Sequence, residues 1–185
     1  MAVISLQVDL ILDSLMNHLR TVRLNVTHLH YYIIIKMSKF IIYQGIQGSG
    51  KSTAAKAYVM EDPEHRVRWN QDDLRNMFGK YWVPSREHML SPMKVAFLAE
   101  AMSKKYEIII DDMNLNPKTI KWYEDYVKYH NATNGDNKYE IEYRKMNTPL
   151  ETCLERDSKR ENPVGPSVIV STYNRYRETL ESWNK

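Results

Sequence analysis

Between the apolar run Phe40-Ile41-Ile42-Tyr43 and the helix-favouring run Thr53-Ala54-Ala55-Lys56-Ala57 lies Gly45-Ile46-Gln47-Gly48-Ser49-Gly50-Lys51-Ser52. The spacing G-x-x-x-x-G-K-S, set between a buried strand and a helix, makes a phosphate-binding loop, or P-loop. Its glycines permit tight turns, so successive N–H groups can aim at phosphate oxygens. A helix starting near Lys51 adds the positive end of its dipole. Lys51 can reach the β- and γ-phosphates of a nucleotide, and Ser52 can hold Mg²⁺. Gly45, Gln47, Gly48, Ser49, Gly50 and Thr53 complete the cradle. A chance glycine turn is disfavoured, because strand, spacing, Lys-Ser and helix all agree. The motif names a phosphate donor and leaves the acceptor open.

At 185 residues the chain is long enough for one domain with its own core. A formal charge of +3 does not by itself imply nucleic-acid binding, so any such surface must be local. Cys153 is the single cysteine, which excludes an internal disulfide and fits a reducing, cytoplasmic setting. In residues 1–36, Ile4, Val8, Ile11, Leu12, Leu15 and Leu19 fall near one helical face. Asp9, Asp13, Asn17 and Arg20 interrupt any membrane span there. The sequon Asn25-Val26-Thr27 would go unused in the cytoplasm, and His28 and His30 lack further ligands nearby. Met37 lies just before the first strand. Residues 1–36 are therefore expected to be an N-terminal extension dispensable for chemistry, with the P-loop domain spanning 37–185.

Strand and helix signals alternate along that domain. A helix over about 51–60 stops at Asp62-Pro63. Val67-Arg68-Trp69 reads as a strand, Asn70 to Phe78 as a helix start and helix, and Gly79 as its stop. Ser85 is expected to cap a helix to about Lys105, with Met89, Met93, Phe97 and Met102 buried. Glu107 to Ile110 reads as an inner strand, followed by a helix after Pro117 and a strand over Tyr139 to Lys145. Thr148 is expected to cap a helix to about Glu161, and Ser167 a final helix after the break Asn162 to Pro166. The βαβαβαβα order predicts an α/β P-loop NTPase fold: an open parallel sheet with helices on both faces and a helical lid. Ligands of such sheets sit at the strands' carboxyl ends, where the P-loop, Asp72 and Asp111/Asp112 all fall.

Asp72 and Arg75 share a helical face. Phosphoryl transfer to a hydroxyl needs a carboxylate to take the proton, and an arginine beside it could hold an anionic acceptor. A plain surface ion pair is the alternative, and Asp73 could be base or helix cap instead. Asp111 or Asp112 could hold Mg²⁺ through water, and strand register decides between them. Arg156 and Arg160, four apart, could clamp a transferring phosphate from a closing lid, or form a solvated basic face. Trp69, Tyr81 and Trp82 could stack on bases or anchor loops.

Phe40 to Ser52, Asn70-Gln-Asp-Asp-Leu-Arg75, Ile109-Ile-Asp-Asp-Met-Asn-Leu-Asn-Pro117 and Arg156-Asp-Ser-Lys-Arg160 occur in the order seen in the phage 5′-polynucleotide kinase family. Residues 37–185 resemble the kinase domain of that family. The resemblance implies an enzyme moving the γ-phosphate of ATP, with Mg²⁺, to the 5′-hydroxyl of DNA or RNA, as in end repair. By motif it puts Lys51 and Ser52 at the donor and makes Asp72 the general base. It sets Arg75 on the acceptor, Asp112 rather than Asp111 at the acidic position, and Arg160 on the donor phosphates with Arg156 in support. Met113 replaces a small hydroxyl residue, and the segment after Arg75 is shorter than in the best-known member. No D-x-D-x-T motif is found, so phosphatase activity is not expected. The same residues also allow a small-molecule or nucleotide kinase, or a non-kinase ATP-binding module. A homo-oligomer is left open, and a phage protein of this kind would work in the host cytoplasm.

Overall fold

The computed structural model describes residues 37–183. The expectations for residues 1–36 lie outside the described residues. Four parallel strands form one sheet in the order β2-β3-β1-β4: β1 (Ser38–Gln44), β2 (Arg66–Trp69), β3 (Glu107–Ile110) and β4 (Tyr139–Lys145). Ile41 pairs with Ile109, which pairs in turn with Arg68 on β2. β1 and β3 are the inner strands and read as continuous apolar runs, as strands covered on both faces do. β4 at the edge alternates instead.

Side chains alternate across the sheet and build two cores. Phe40, Ile42, Ile108, Ile110, Trp69 and Tyr139 face α3 (Glu87–Ser103) and α4 (Pro117–Thr133). Ile41, Tyr43 and Ile109 face α1 (Lys51–Glu61), through Ala55 with Ala54, Tyr58 and Val59. Helices therefore cover both faces, as the alternation predicts. A third cluster joins Ile46 and Leu115 to α5 (Leu150–Ser158), α6 (Pro166–Arg175) and α7 (Arg177–Ser182) through Cys153, Ile169 and Leu180. The remaining helix, α2 (Gln71–Met77), follows β2 directly.

Several local expectations need correction. Ser85 lies in a 3-10 turn (Pro84–Arg86), and Arg86 precedes α3 without a side-chain cap. Thr148 does not cap α5; its hydroxyl donates to the Ser49 carbonyl at 2.9 Å and ties the β4–α5 loop to the P-loop. Ser167 sits inside α6, which starts after Gly165 with Pro166 in its first turn, a position where the missing N–H costs nothing. α5 stops at Ser158, and the expected final helix breaks at Tyr176. Met89 is exposed rather than buried. Trp69 ends β2 and packs on Phe97 in the core, with ring centroids 5.3 Å apart, so it offers no stacking surface.

α5 packs directly against the P-loop. Gly48 has φ +79°, and a Cβ there would run into the Cys153 carbonyl. Left-handed backbone costs an ordinary residue about 1–2 kcal/mol, and overpacking adds about 1–3 kcal/mol. Gly48→Ala should therefore lower Tm by roughly 10 °C in a thermal melt, at about 2–4 °C per kcal/mol for this chain length. A melt matching wild type would mean that α5 is not seated on the loop.

Among the described residues, no helix is long and apolar enough to cross a membrane.

Candidate active site

β1 connects across β3 to β2, whereas β3 connects across β1 to β4. The crossovers diverge between β1 and β3, so a crevice opens at their carboxyl ends. A cleft of about 720 Å³ lies there, lined by the P-loop, the β2–α2 turn, the segment after β3, residues of α3 and α4, and the α5–α6 segment with α6. Gln47, Gly48, Gly50, Lys51, Ser52 and Thr53 line its P-loop end. Gly50 adopts left-handed backbone (φ 95°) as the residue before α1. The Ser49 hydroxyl donates to the Ile46 carbonyl at 2.8 Å. Gln47 Oε1 is buried without a hydrogen-bond partner among the described residues.

Lys51 is buried, and its Nζ donates to the Gly45 and Ile46 carbonyls at 2.9 Å each. Burial lowers its ammonium to about 8, against an upward pull from Asp111. Ser52 Oγ donates to Asp111 Oδ1 at 3.3 Å. Asp111 Oδ2 accepts from Arg68 Nε at 2.8 Å and Nη2 at 2.5 Å. Arg68 also reaches Asp73 at 2.5 Å, so Asp73 is tied into that bridge.

Asp111 and Asp112 follow β3 on opposite faces, as alternation requires. Asp111 shares the face of Ile109 and α1. Asp112 lies on the α3–α4 side, where its Oδ1 accepts from the Gln71 N–H at 2.8 Å. Burial lifts the Asp112 carboxyl to about 6, with the Gln71 hydrogen bond and Lys94 opposing.

The run Asn114-Leu-Asn-Pro117 has a mechanical reading. Asn114 takes φ +50°, a left-handed conformation that Asn tolerates, and its amide donates to Tyr43, Ile110 and Asp112 carbonyls. It thereby ties the end of β1 to the end of β3. Leu115 enters the third core cluster. Asn116 caps α4 by accepting from Lys118 N at 3.0 Å, and Pro117 fills its first position.

Asn70 does the same for the facing wall. Its Oδ1 caps α2 on the Asp73 N–H and its Nδ2 donates to the Asp111 carbonyl at 2.7 Å. The cap is thus Asn70 rather than Asp73. Asp72, at the start of α2, lines the cleft. Its Oδ1 accepts from Arg75 Nη1 and from the Tyr81 hydroxyl, both at 2.8 Å. Arg75 is gripped from behind by Glu87, Nε to Oε1 at 3.0 Å and Nη2 to Oε2 at 2.6 Å. Those contacts, Glu87 first, push the guanidinium well above its ordinary value. Tyr81 and Trp82 are exposed, with ring centroids 5.7 and 5.4 Å from Arg75 Cζ. Glu87 was invisible in the sequence, because its partner is twelve residues away.

Arg160 lines the cleft beyond α5. Arg156 lies over the P-loop: its Nη1 would be 3.4 Å from a Cβ on Gly50. Asp157 is buried and accepts from the Val164 and Gly165 N–H groups at 3.2 and 2.9 Å, which fixes the turn carrying Arg160. Sequence reasoning passed over Asp157, and it passed over Arg175 and Lys94, which also line the cleft. Their helical spacing gave no signal.

The family model for the AAA domain matches residues 40–182. A protein of Autographa californica nuclear polyhedrosis virus, named as a bifunctional polynucleotide kinase/RNA ligase, is 26% identical over 155 residues, covering 75% of this chain and 21% of that protein. A chain in a structure of the Pnkp1/Rnl/Hen1 RNA repair complex superposes with a TM-score of 0.62 at 23% identity, over 79% of this chain and 46% of that one. A second structure of the Pnkp1/Rnl/Hen1 complex gives 0.51 at 27% identity, over 70% and 40%. This chain thus spans about a fifth of the viral relative and under half of either structural one. With the P-loop cleft and the family match together, the chain belongs to the AAA domain family and is a P-loop domain.

Proposed function

We propose that this protein transfers the γ-phosphate of ATP to the 5′-hydroxyl of a polynucleotide, DNA or RNA. The observation that carries this reading is a single cleft with the P-loop at one end and Asp72, fixed by Arg75 and Tyr81, at the other. An ATP-driven switch needs no carboxylate positioned for an alcohol, whereas a kinase does. The exposed Tyr81 and Trp82 supply flat faces on which a base can stack. The names of the viral relative and of the RNA repair complex support the same substrate class.

In this mechanism the P-loop N–H groups and Lys51 bind the donor phosphates. Asp72 accepts the hydroxyl proton as the acceptor oxygen bonds to the γ-phosphorus and the bond to the ADP oxygen breaks. Arg160, with Arg156 in support, neutralises the transferring phosphoryl group. Mg²⁺ is implied by the fold family, and the hard oxygens of Ser52 and Asp111, which already meet, fit it. When bound, it would neutralise charge between the β- and γ-phosphates. Asp112, which the resemblance assigns to the ion, gives its Oδ1 to the Gln71 N–H at the start of α2 and is left to the acceptor side.

The test uses γ-labelled ATP with 5′-hydroxyl DNA and RNA oligonucleotides, beside nucleosides and 3′-mononucleotides. Label is expected in the polymers; label in none of them sinks the reading.

A pH dependence follows from Lys51. Its ammonium is charged at pH 7 and is lost as pH rises through about 8, so free protein binds the donor phosphates less well above that value. Bound phosphate restores the charge, so ATP binding at pH 8.5 takes up a proton. KM for ATP is expected to rise by up to about tenfold per pH unit above 8. Calorimetry in buffers of different ionisation enthalpy reads the proton directly; no uptake at pH 8.5 would contradict the assignment.

A further inference from the structure

β2 carries an arginine into the interior of the sheet. Arg68 pairs in register with Ile109 on β3, and Asp111 follows two residues later on the same face. The Asp111 side chain is fully buried, and 13% of the Arg68 side chain is exposed.

Two donors converge on one oxygen. Nε and Nη2 of Arg68 lie 2.8 and 2.5 Å from Asp111 Oδ2. A carboxylate oxygen has two lone pairs, so Oδ2 is fully taken. Oδ1 receives the Ser52 hydroxyl at 3.3 Å and keeps one lone pair. The guanidinium is held from its other side, because Nη1 donates to Asp73. The backbone of Asp111 is fixed as well: its N–H donates to the Trp69 carbonyl at 3.0 Å, and its carbonyl accepts from Asn70 at 2.7 Å. Asp111 therefore offers the donor site one oxygen, rigidly placed. Charge balance alone does not demand this arrangement. A guanidinium commonly meets a carboxylate fork to fork, on both oxygens. Arg68 takes one oxygen only and leaves the other toward Ser52.

That difference bears on which cation the site accepts. Mg²⁺ demands near-ideal octahedral geometry and keeps several waters beside one or two carboxylates. Ca²⁺ takes about six to eight oxygens in a flexible shell, often both from one carboxylate. We propose that Arg68 sets the cation selectivity of the donor site, denying Ca²⁺ the second oxygen of Asp111 so that the ATP-bound protein prefers Mg²⁺. This rests on the Mg²⁺ reading of Ser52 and Asp111 above. Arg68 acts through Asp111 and is a positioning residue.

The experiment follows Mn²⁺ bound to the full chain with β,γ-methylene ATP by electron paramagnetic resonance, with protein in excess over nucleotide. Mg²⁺ and Ca²⁺ compete for the Mn²⁺ site, and the ratio of their affinities is set against that for the same nucleotide without protein. Wild type is expected to raise the Mg²⁺ preference about tenfold or more over the free nucleotide, the scale on which groups behind a ligand tune a metal site. Arg68→Met should return the ratio to that of the nucleotide, by tightening Ca²⁺ more than Mg²⁺. Arg68→Met/Asp111→Asn should restore the wild-type ratio, since an asparagine offers one oxygen as the pinned carboxylate does. The double variant buries no unpaired charge, so it and wild type decide the matter where Arg68→Met fails to fold. A wild-type ratio equal to that of the nucleotide overturns the proposal without any variant. An Arg68→Met protein that gains equally for both cations contains an arginine that only balances charge, and overturns it too. A double variant that keeps the ratio of the free nucleotide does the same. Asp111→Asn protein that binds both cations as wild type does removes the Mg²⁺ reading of Asp111 and the proposal together.

Discussion

Asp72→Asn is expected to lower phosphoryl transfer by ~10²–10⁴-fold, about 3–5 kcal/mol of barrier, while ATP binding stays near wild type. The geometry explains why the loss isolates chemistry. Both hydrogen bonds to Asp72, from Arg75 and Tyr81, end on Oδ1, which an asparagine carbonyl retains. The substitution therefore keeps the side chain in place and removes its basicity. Asp72 is largely solvent-exposed, with 59% of its side chain accessible, so the lost ion pair costs stability by at most about 1 kcal/mol. Asp73→Asn is the matched control. Asp73 pairs with Arg68 away from the cleft, and its loss should leave transfer standing. Single-turnover transfer and ATP binding are measured side by side. An active Asp72→Asn protein would place the proton acceptor elsewhere.

The fold was legible because each strand signal sat beside a turn signal. Phe40 to Tyr43 and Ile108 to Ile110 are apolar without alternation, which only a strand covered on both faces requires, and they are the two inner strands. Helix caps were less legible. Ser85, Thr148 and Ser167 are all good capping residues by type, yet none caps, because Thr148 is drawn to the Ser49 carbonyl and Pro84 and Pro166 set the local backbone first. Tertiary partners outbid local propensity at these three positions.

The site divides along the same line. The P-loop and the Asp72–Arg75 pair are local in sequence, so spacing brings both forward, although for Asp72 and Arg75 it equally allows a plain surface ion pair. Lys94 lines the cleft, and Arg68 and Glu87 grip two residues that line it, Asp111 and Arg75, all across separations that only the fold closes. Asp111 and Asp112 show the limit most sharply. A sequence states that two carboxylates follow a strand; the register Trp69 with Ile110 and Arg68 with Ile109 decides which one faces Ser52.

Arg160→Ala is expected to reduce kcat by ~10³–10⁵-fold, the range an arginine on a transferring phosphoryl group supplies. Arg160 is half-exposed and contacts Asp157 only at 3.6 Å, so little of the fold depends on it, and stability should change by less than about 1 kcal/mol. Asp157 explains how an exposed arginine can still be positioned. Its buried carboxylate holds two backbone N–H groups of the 164–165 turn, which fixes the loop rather than the side chain. Arg160→Lys separates charge from shape. A lysine keeps the charge but cannot offer two parallel N–H donors to phosphate oxygens, so it should recover only part of the loss. Asp157→Ala should differ from both, lowering Tm as well as kcat, because a charged group with two hydrogen bonds is removed from a buried site, at about 1.5–3 kcal/mol per bond. Rapid-quench transfer and thermal melts on the three proteins give the comparison. Full activity in Arg160→Lys would refute the two-donor clamp, and full activity in Arg160→Ala would shift the role to Arg156, whose guanidinium already lies over Gly50.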